Sequence, residues 1–171
     1  MPTANPNYDD ALISAFGSTA INLGNGLPIR FGGGNQLTIS ASVFIQSLEP
    51  DAWIAHKDSV LNFGTLGGNR LYASLGAAEK NIQGKPVLEP ETWFQVSLVY
   101  DGNALKIYLD GEEDASGTGW PEGNNDKPLL IGLDLTTQFP APQLQISRLG
   151  VWNKALTPTE ISSLTALKER V

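Results

Sequence analysis

Residues 93–102 read WFQVSLVYDG, and this stretch narrows the choice of fold sharply. Phe94, Val96, Leu98 and Tyr100 fall on one side of a two-residue period, and Trp93, Gln95, Ser97, Val99 and Asp101 fall on the other. A helix would scatter the apolar residues around its circumference. A strand gathers them on one face, and Asp-Gly then supplies a tight turn. The next segment, ALKIYLDG (104–111), repeats the pattern with Leu105, Ile107 and Leu109 on one side. With DGN (101–103) between them, the two runs predict a β-hairpin.

Similar runs recur along the chain: QLTISASVFIQSL (36–48), AWIAHK (52–57), VLNFGTL (60–66), RLYASLG (70–76), PLLIGL (128–133) and QLQISRLGVW (143–152). The 18 glycines and 11 prolines punctuate them at short intervals. Roughly ten to twelve short strands with no helix between them predict an all-β antiparallel sandwich, not a parallel α/β sheet. One short C-terminal helix is expected. TPTE (157–160) is a capping box, with Thr157 at N-cap, Pro158 at N1 and Glu160 at N3. Strand signals begin near Ala20, so the expected division is a lead-in over 1–18 and one sandwich over 19–171.

The chain has 171 residues, enough for one domain with a full core. Its net charge of −7 argues against nucleic acid or an anionic membrane as the main partner. It contains no cysteine, which removes disulfides, thiolate metal sites and cysteine nucleophiles. MPTANPNYDD lacks the basic and apolar regions of a secretory signal. No stretch is apolar enough over sufficient length to span a bilayer as a helix. The expectation is a cytosolic chain as written, or a module of an extracellular protein.

Four stretches, in order, resemble the laminin-G/pentraxin branch of the concanavalin A-like lectin/glucanase fold. They are LTISASVF (37–44), ETWFQVSLVYDGNALKIYLDGEEDASG (91–117), KPLLIGLD (127–134) and ISRLGVWNKALTPTEISSL (146–164). The resemblance implies a jelly roll of two curved antiparallel sheets, with the first and last strands neighbours in one of them. It also implies that Trp93 anchors the core beside the C-terminal segment that bears the helix, and that Trp152 serves similarly. Relatives often bind calcium through an acid in the first hairpin and another near the last long strand. Here the first region, INLGNGLPIRF (21–31), offers Asn22 and Asn25, and the second acidic position falls on Ser147. Calcium is therefore not expected at the family position, and no other cofactor is expected. Asp126 and Asp134 are the residual metal candidates.

Catalysis finds little support in the residues. The fold also hosts glucanases, but their Glu-x-Asp-x-x-Glu strand motif is absent, and DGEEDASG (110–117) reads as a solvated hairpin rim. His56 is the single histidine and sits at a strand end, where it reads as a surface residue. A sugar site needs less: an aromatic platform for the apolar face of a pyranose, and a few amides or carboxylates for its hydroxyls. GTGWPEGNNDK (117–127) supplies Trp120, Glu122, Asn124, Asn125 and Asp126. Trp120 reads either as a stacking platform or as a lid over one end of the sandwich. By the same analogy, loops 65–70 and 134–142 are expected beside it, contributing Asn69, Arg70, Gln138 and Phe139. The expectation is non-catalytic glycan recognition by rim loops, with no enzymatic activity. The alternative is a protein-interaction, assembly or adhesion module without a sugar ligand, which includes a homo-oligomer.

Overall fold

The structure, a computed structural model, describes residues 13–15, 21–26, 32–46, 52–67, 70–76, 80–86, 88–120, 123, 125–134 and 144–166. These residues form β1 (Ile13–Ala15), β2 (Ile21–Asn22), β3 (Leu37–Ile45), β4 (Ala52–Lys57), β5 (Leu61–Leu66), β6 (Arg70–Leu75), β7 (Asn81–Gln83), β8 (Thr92–Tyr100), β9 (Ala104–Leu109), β10 (Glu112–Thr118), β11 (Leu130–Asp134), β12 (Leu144–Trp152) and α1 (Pro158–Leu164). One sheet runs β1-β12-β3-β8-β9-β10 and the other β2-β11-β4-β5-β6-β7. All ten strand pairings are antiparallel. The expected all-β sandwich is present, with the first and last strands adjacent. The sandwich starts earlier than residue 19, because β1 lies inside the expected lead-in and pairs Ile13 with Leu149. A three-residue strand is too short to show a period in the sequence.

The pairing of β3 with β8 organises the first sheet. Leu37 faces Tyr100 and the register runs unbroken to Ile45 opposite Thr92. Leu37, Ile39, Ala41, Val43, Phe94, Val96, Leu98 and Tyr100 thereby share the inner face and enter the main core. Leu61, Phe63, Leu71, Ala73 and Leu75 meet them from the second sheet. The outer face of the first sheet is polar in mid-strand, and its groups satisfy one another. Ser42 donates to Gln95 Oε1 (2.8 Å), Gln95 Nε2 donates to Ser40 Oγ (2.7 Å), and Ser40 and Ser97 share a hydrogen bond of 2.7 Å. A buried polar ribbon of this kind is stable only because it is paired.

Helix α1 seats on one end of that outer face. The capping box is complete: Glu160 N–H donates to Thr157 Oγ1 and Thr157 N–H donates to Glu160 Oε2. Ile161 and Leu156 pack on Val99 and Tyr108, with Trp152 against the same cluster. The Trp152 ring lies over Gly150, where any Cβ would collide with it. Trp152 therefore anchors the helix, as expected. Trp93 does not. It stands on the outer face opposite Phe44, with ring centroids 5.5 Å apart, and is only partly buried. The alternation explains this correction: Trp93 shares a side with Gln95 and Ser97, the side turned away from the core.

The two tryptophans should consequently respond differently to truncation. Trp152→Ala should cost about 3 kcal/mol of stability, near the range for a packed aromatic. Trp93→Ala should cost about 1 kcal/mol, the scale of an aromatic pair contact. Denaturant midpoints of the two variants test this, and equal losses would refute the distinction.

Candidate functional site

Strand direction decides which loops meet. The β4–β5 turn, the β6–β7 connection, the β8–β9 turn and the β10–β11 loop emerge at one end of the sandwich. Contacts bear this out: Asn125 Nδ2 donates to the Asp58 carbonyl (2.7 Å) and Lys57 Nζ to the Lys127 carbonyl (2.6 Å). The strands that flank residues 68–69 and 135–143 finish at the opposite end, where Gln83 Nε2 donates to the Leu66 carbonyl (2.7 Å). Leu66, Arg70 and Asp134, the described residues that flank 68–69 and precede 135–143, thus lie at the opposite end from Trp120 and Asn125, because an odd number of antiparallel strands separates the β5–β6 turn from the β10–β11 loop. Asn69, Gln138, Phe139, Glu122 and Asn124 lie outside the described residues. Asp134 pairs with Ala52 and Leu130 with His56, so Asp134 sits at the far end of β11 from the Asp126 segment. The two residual metal candidates do not converge.

Trp120 is 9% exposed and belongs to the main core. Its Nε1–H donates to the Gly117 carbonyl (2.8 Å). A Cβ on Gly117 would reach to 3.3 Å from the ring, so glycine is what lets the indole settle against β10. Lys80 Nζ sits over the ring, 5.2 Å from its centroid, and donates to the carbonyls of Thr118 and Gly119. The ring closes the sandwich between β7 and β10, which corresponds to the lid of the two sequence readings. An open stacking face is not what it presents. Asn125 is similarly engaged: its Oδ1 accepts from Lys127 N–H (3.0 Å) while its amide holds Asp58. Asp126 remains exposed. Lys57 is buried at 2% exposure, and that burial holds its pKa below the ordinary lysine value, with Asp126 partly opposing the shift.

The outer face of the second sheet holds residues that the sequence reading did not bring together. Asn22 faces Leu130, Leu130 faces His56, His56 faces Asn62, Asn62 faces Ser74, and Ser74 faces Asn81. Directly opposed residues share a face, so these six form one row across all six strands. His56 Nδ1 lies 2.7 Å from Asn62 Oδ1, and Asn62 Nδ2 donates to Ser74 Oγ (3.0 Å). With Asn62 Oδ1 as acceptor, the imidazole donates through Nδ1. Trp53 stacks on His56 at 13° and 6.3 Å and tilts against Tyr72 at 5.8 Å. Gly64 stands between Trp53 and Tyr72 in the register. A Cβ there would strike the Ala52 backbone. A bulge in β4 between Trp53 and Ala55 puts Trp53 and His56 on the same side. That bulge is invisible in a two-residue period, and it hid this pairing of Trp53 with His56.

In the acidic run of β10, Glu113 is paired, whereas Asp114 Oδ2 is buried without a hydrogen-bond partner among the described residues. Lys106 donates to Glu113 Oε2 (2.8 Å), and this bond holds the Glu113 carboxyl below the usual carboxylate range. Asp114 Oδ1 accepts from Lys85 N–H (3.0 Å) beside a pocket of about 230 Å³ lined by Lys85, Pro86, Leu109 and Glu112–Asp114. A glycosidase acid needs the reverse shift, a carboxyl kept protonated.

Trp120→Ala should lower stability by about 3 kcal/mol, read from denaturant unfolding. A variant that unfolds with wild type would show the ring to be dispensable for closure. Lys57 carries a pH signature. Its folded pKa is lowered, so between that value and the ordinary lysine range the unfolded chain binds more protons and stability rises with pH. Lys57→Met should abolish that rise, and melts across mildly alkaline pH compare the two proteins directly.

The Laminin_G_3 model, described as the concanavalin A-like lectin/glucanases superfamily, matches residues 3–162. No match was found among curated protein sequences. Among solved structures, the binding domain of Paraclostridial Mosquitocidal Protein 1 is similar at TM-score 0.72 and 12% identity, over 91% of this chain and 45% of that one. This chain thus spans less than half the length of that structure. Domain 4 of AbnA, a GH43 extracellular arabinanase from Geobacillus stearothermophilus solved with arabinotriose, gives TM-score 0.67 and 22% identity over 89% of this chain and 75% of that one. The CBM40 of Ruminococcus gnavus IT-sialidase, bound to α2,3-sialyllactose, gives TM-score 0.69 and 13% identity over 90% and 96%. At these identities the structures speak to the fold, and the match over residues 3–162 speaks to the family: the chain belongs to the Laminin_G_3 family of the concanavalin A-like lectin/glucanases superfamily.

Proposed function

We propose that this domain recognises a glycan without hydrolysing it, through the outer face of its second sheet and the adjoining rim loop 117–127. The observation that carries the reading is the row from Asn22 to Asn81, in which exposed Asn22 and Asn81 and half-buried His56 and Asn62 offer amides and an imidazole where a sheet face ordinarily carries charges, while Ser74 is buried. Sugar hydroxyls both donate and accept, and neutral amides serve both needs. The internal bonds from His56 through Asn62 to Ser74 fix these groups before a ligand arrives, which reduces the ordering cost of binding. Trp53 stacks on His56 and orients it. Exposed Asp126 extends the polar surface onto the rim. Support also comes from the similar domains that were solved with arabinotriose and α2,3-sialyllactose. The non-catalytic part draws support from the absence of the Glu-x-Asp-x-x-Glu strand motif from the sequence, and from Glu113, whose bond to Lys106 holds its carboxyl below the usual range rather than above it.

A glycan array followed by calorimetry tests the proposal. His56→Ala and Asn81→Ala should each weaken binding about tenfold, the loss of one well-made hydrogen bond. Their melting temperatures should stay near wild type, and no reducing ends should be released from the bound glycan. Unchanged affinity in both variants would sink this placement of the site.

A further inference from the structure

We infer that Lys57 is a positioning residue for recognition: its buried ammonium clamps the rim segment 125–129 onto the end of the second sheet, and so fixes the shape of a surface without touching the sugar. This rests on the glycan reading above and adds the residue that holds the rim in its binding form.

Lys57 stands where the fold asks for an aliphatic side chain. In the register it faces Leu61, which faces Leu75, and both leucines belong to the main core. The residue is 2% exposed. An ammonium in such a place costs stability, and a hydrophobic residue of similar volume often serves folding as well or better. What the charge contributes lies at the far end of the side chain. Lys57 Nζ donates to the Lys127 carbonyl (2.6 Å), and the exposed Asp126 carboxylate attracts it as well. Lys57 thus ties the inner face of the sheet to the rim.

Other bonds of the segment run from rim to rim. Asn125 Nδ2 donates to the Asp58 carbonyl (2.7 Å), and Asn125 Oδ1 accepts from Lys127 N–H (3.0 Å). Leu129 N–H donates to the Gly24 carbonyl (2.9 Å), and Leu23 N–H donates to the Leu129 carbonyl (2.9 Å). The same segment leads into the recognition row. Leu130 follows it directly and pairs with both Asn22 and His56, and Gly24 N–H donates to Asn22 Oδ1 (2.8 Å). A shift of 125–129 therefore displaces Asn22 and Leu130 together with the exposed Asp126 and Lys127.

Hydrogen exchange and calorimetry on the full chain test this, with Lys57→Met and Asn125→Ala. Lys57→Met keeps the length of the side chain and removes the donor. The amides of Leu23, Lys127 and Leu129 should exchange at least about tenfold faster than in wild type. Exchange in β3 and β8 and the melting temperature at neutral pH should stay near wild type. Asn125→Ala, which releases the same segment from the Asp58 side, should give the same local signature. On a glycan array that includes arabinotriose and α2,3-sialyllactose, the oligosaccharide that wild type retains most tightly should bind each variant severalfold more weakly. A side chain that merely fills the core would instead speed exchange throughout the sandwich and lower the melting temperature, and that result would overturn the inference. Unchanged exchange at the three amides would do the same. Local acceleration with unchanged affinity would overturn the positioning role and leave the glycan reading standing. Silence of wild type across the array would overturn the glycan reading and the role in recognition with it, and exchange would then decide the clamp alone.

Discussion

The nine-residue pairing of β3 with β8 is the constraint on which the rest of the molecule depends. Its unbroken register, from Leu37–Tyr100 to Ile45–Thr92, sorts every side chain of both strands to one face. Inward go Leu37, Ile39, Ala41, Val43, Phe94, Val96, Leu98 and Tyr100, which meet the second sheet. Outward go Ser40, Ser42, Gln95 and Ser97, which pair among themselves. A slip of one residue would bury that ribbon in the core and expose the aliphatics, so the register is defended from both sides. The same register places Val99 where α1 can cover it and sets Trp93 outside that cluster, beside Phe44.

Much of this was legible in the sequence. The alternation of 93–102, the hairpin at 101–103 and the capping box at 157–160 are local signals, and local signals survive into the structure. Even the placement of Trp93 was readable, since parity with Gln95 and Ser97 assigns it outward. The resemblance to a family suggested a core anchor, and the residue's own period was the better guide. The lateral order of loops was readable too. From the β5–β6 turn to the β10–β11 loop the chain traverses the strands β6 to β10, five in number. An odd count of antiparallel crossings ends at the opposite rim.

The face we propose for recognition was not legible, for a physical reason. A period of two assigns faces only while it is unbroken, and in β4 it breaks between Trp53 and Ala55. Across that bulge Trp53 and His56, three residues apart, come to the same side. A strict period would have set them on opposite sides and hidden the stack. Gly64 completes the arrangement from the neighbouring strand, because a side chain there would drive β5 away from Ala52 and part Trp53 from Tyr72. Trp120 is a related case. Its loop has no strand period, and the cue to its burial lies in Gly117, the small residue against which it settles.

The two outer faces have diverged in what they are free to do. On the first sheet, α1 and Trp152 cover one end, Phe44 and Trp93 meet at the other, and the polar ribbon between them is closed on itself. Its hydrogen-bonding capacity is spent on folding. On the second sheet the row also bonds internally, from His56 through Asn62 to buried Ser74, while Asn22 and Asn81 stand exposed at its ends, Asn22 Oδ1 accepting from Gly24 N–H. A network satisfied in the middle and open at its margins is rigid without being closed. That combination suits the glycan recognition we propose, since the protein side of such an interface is already ordered and the ordering cost falls mainly on the ligand.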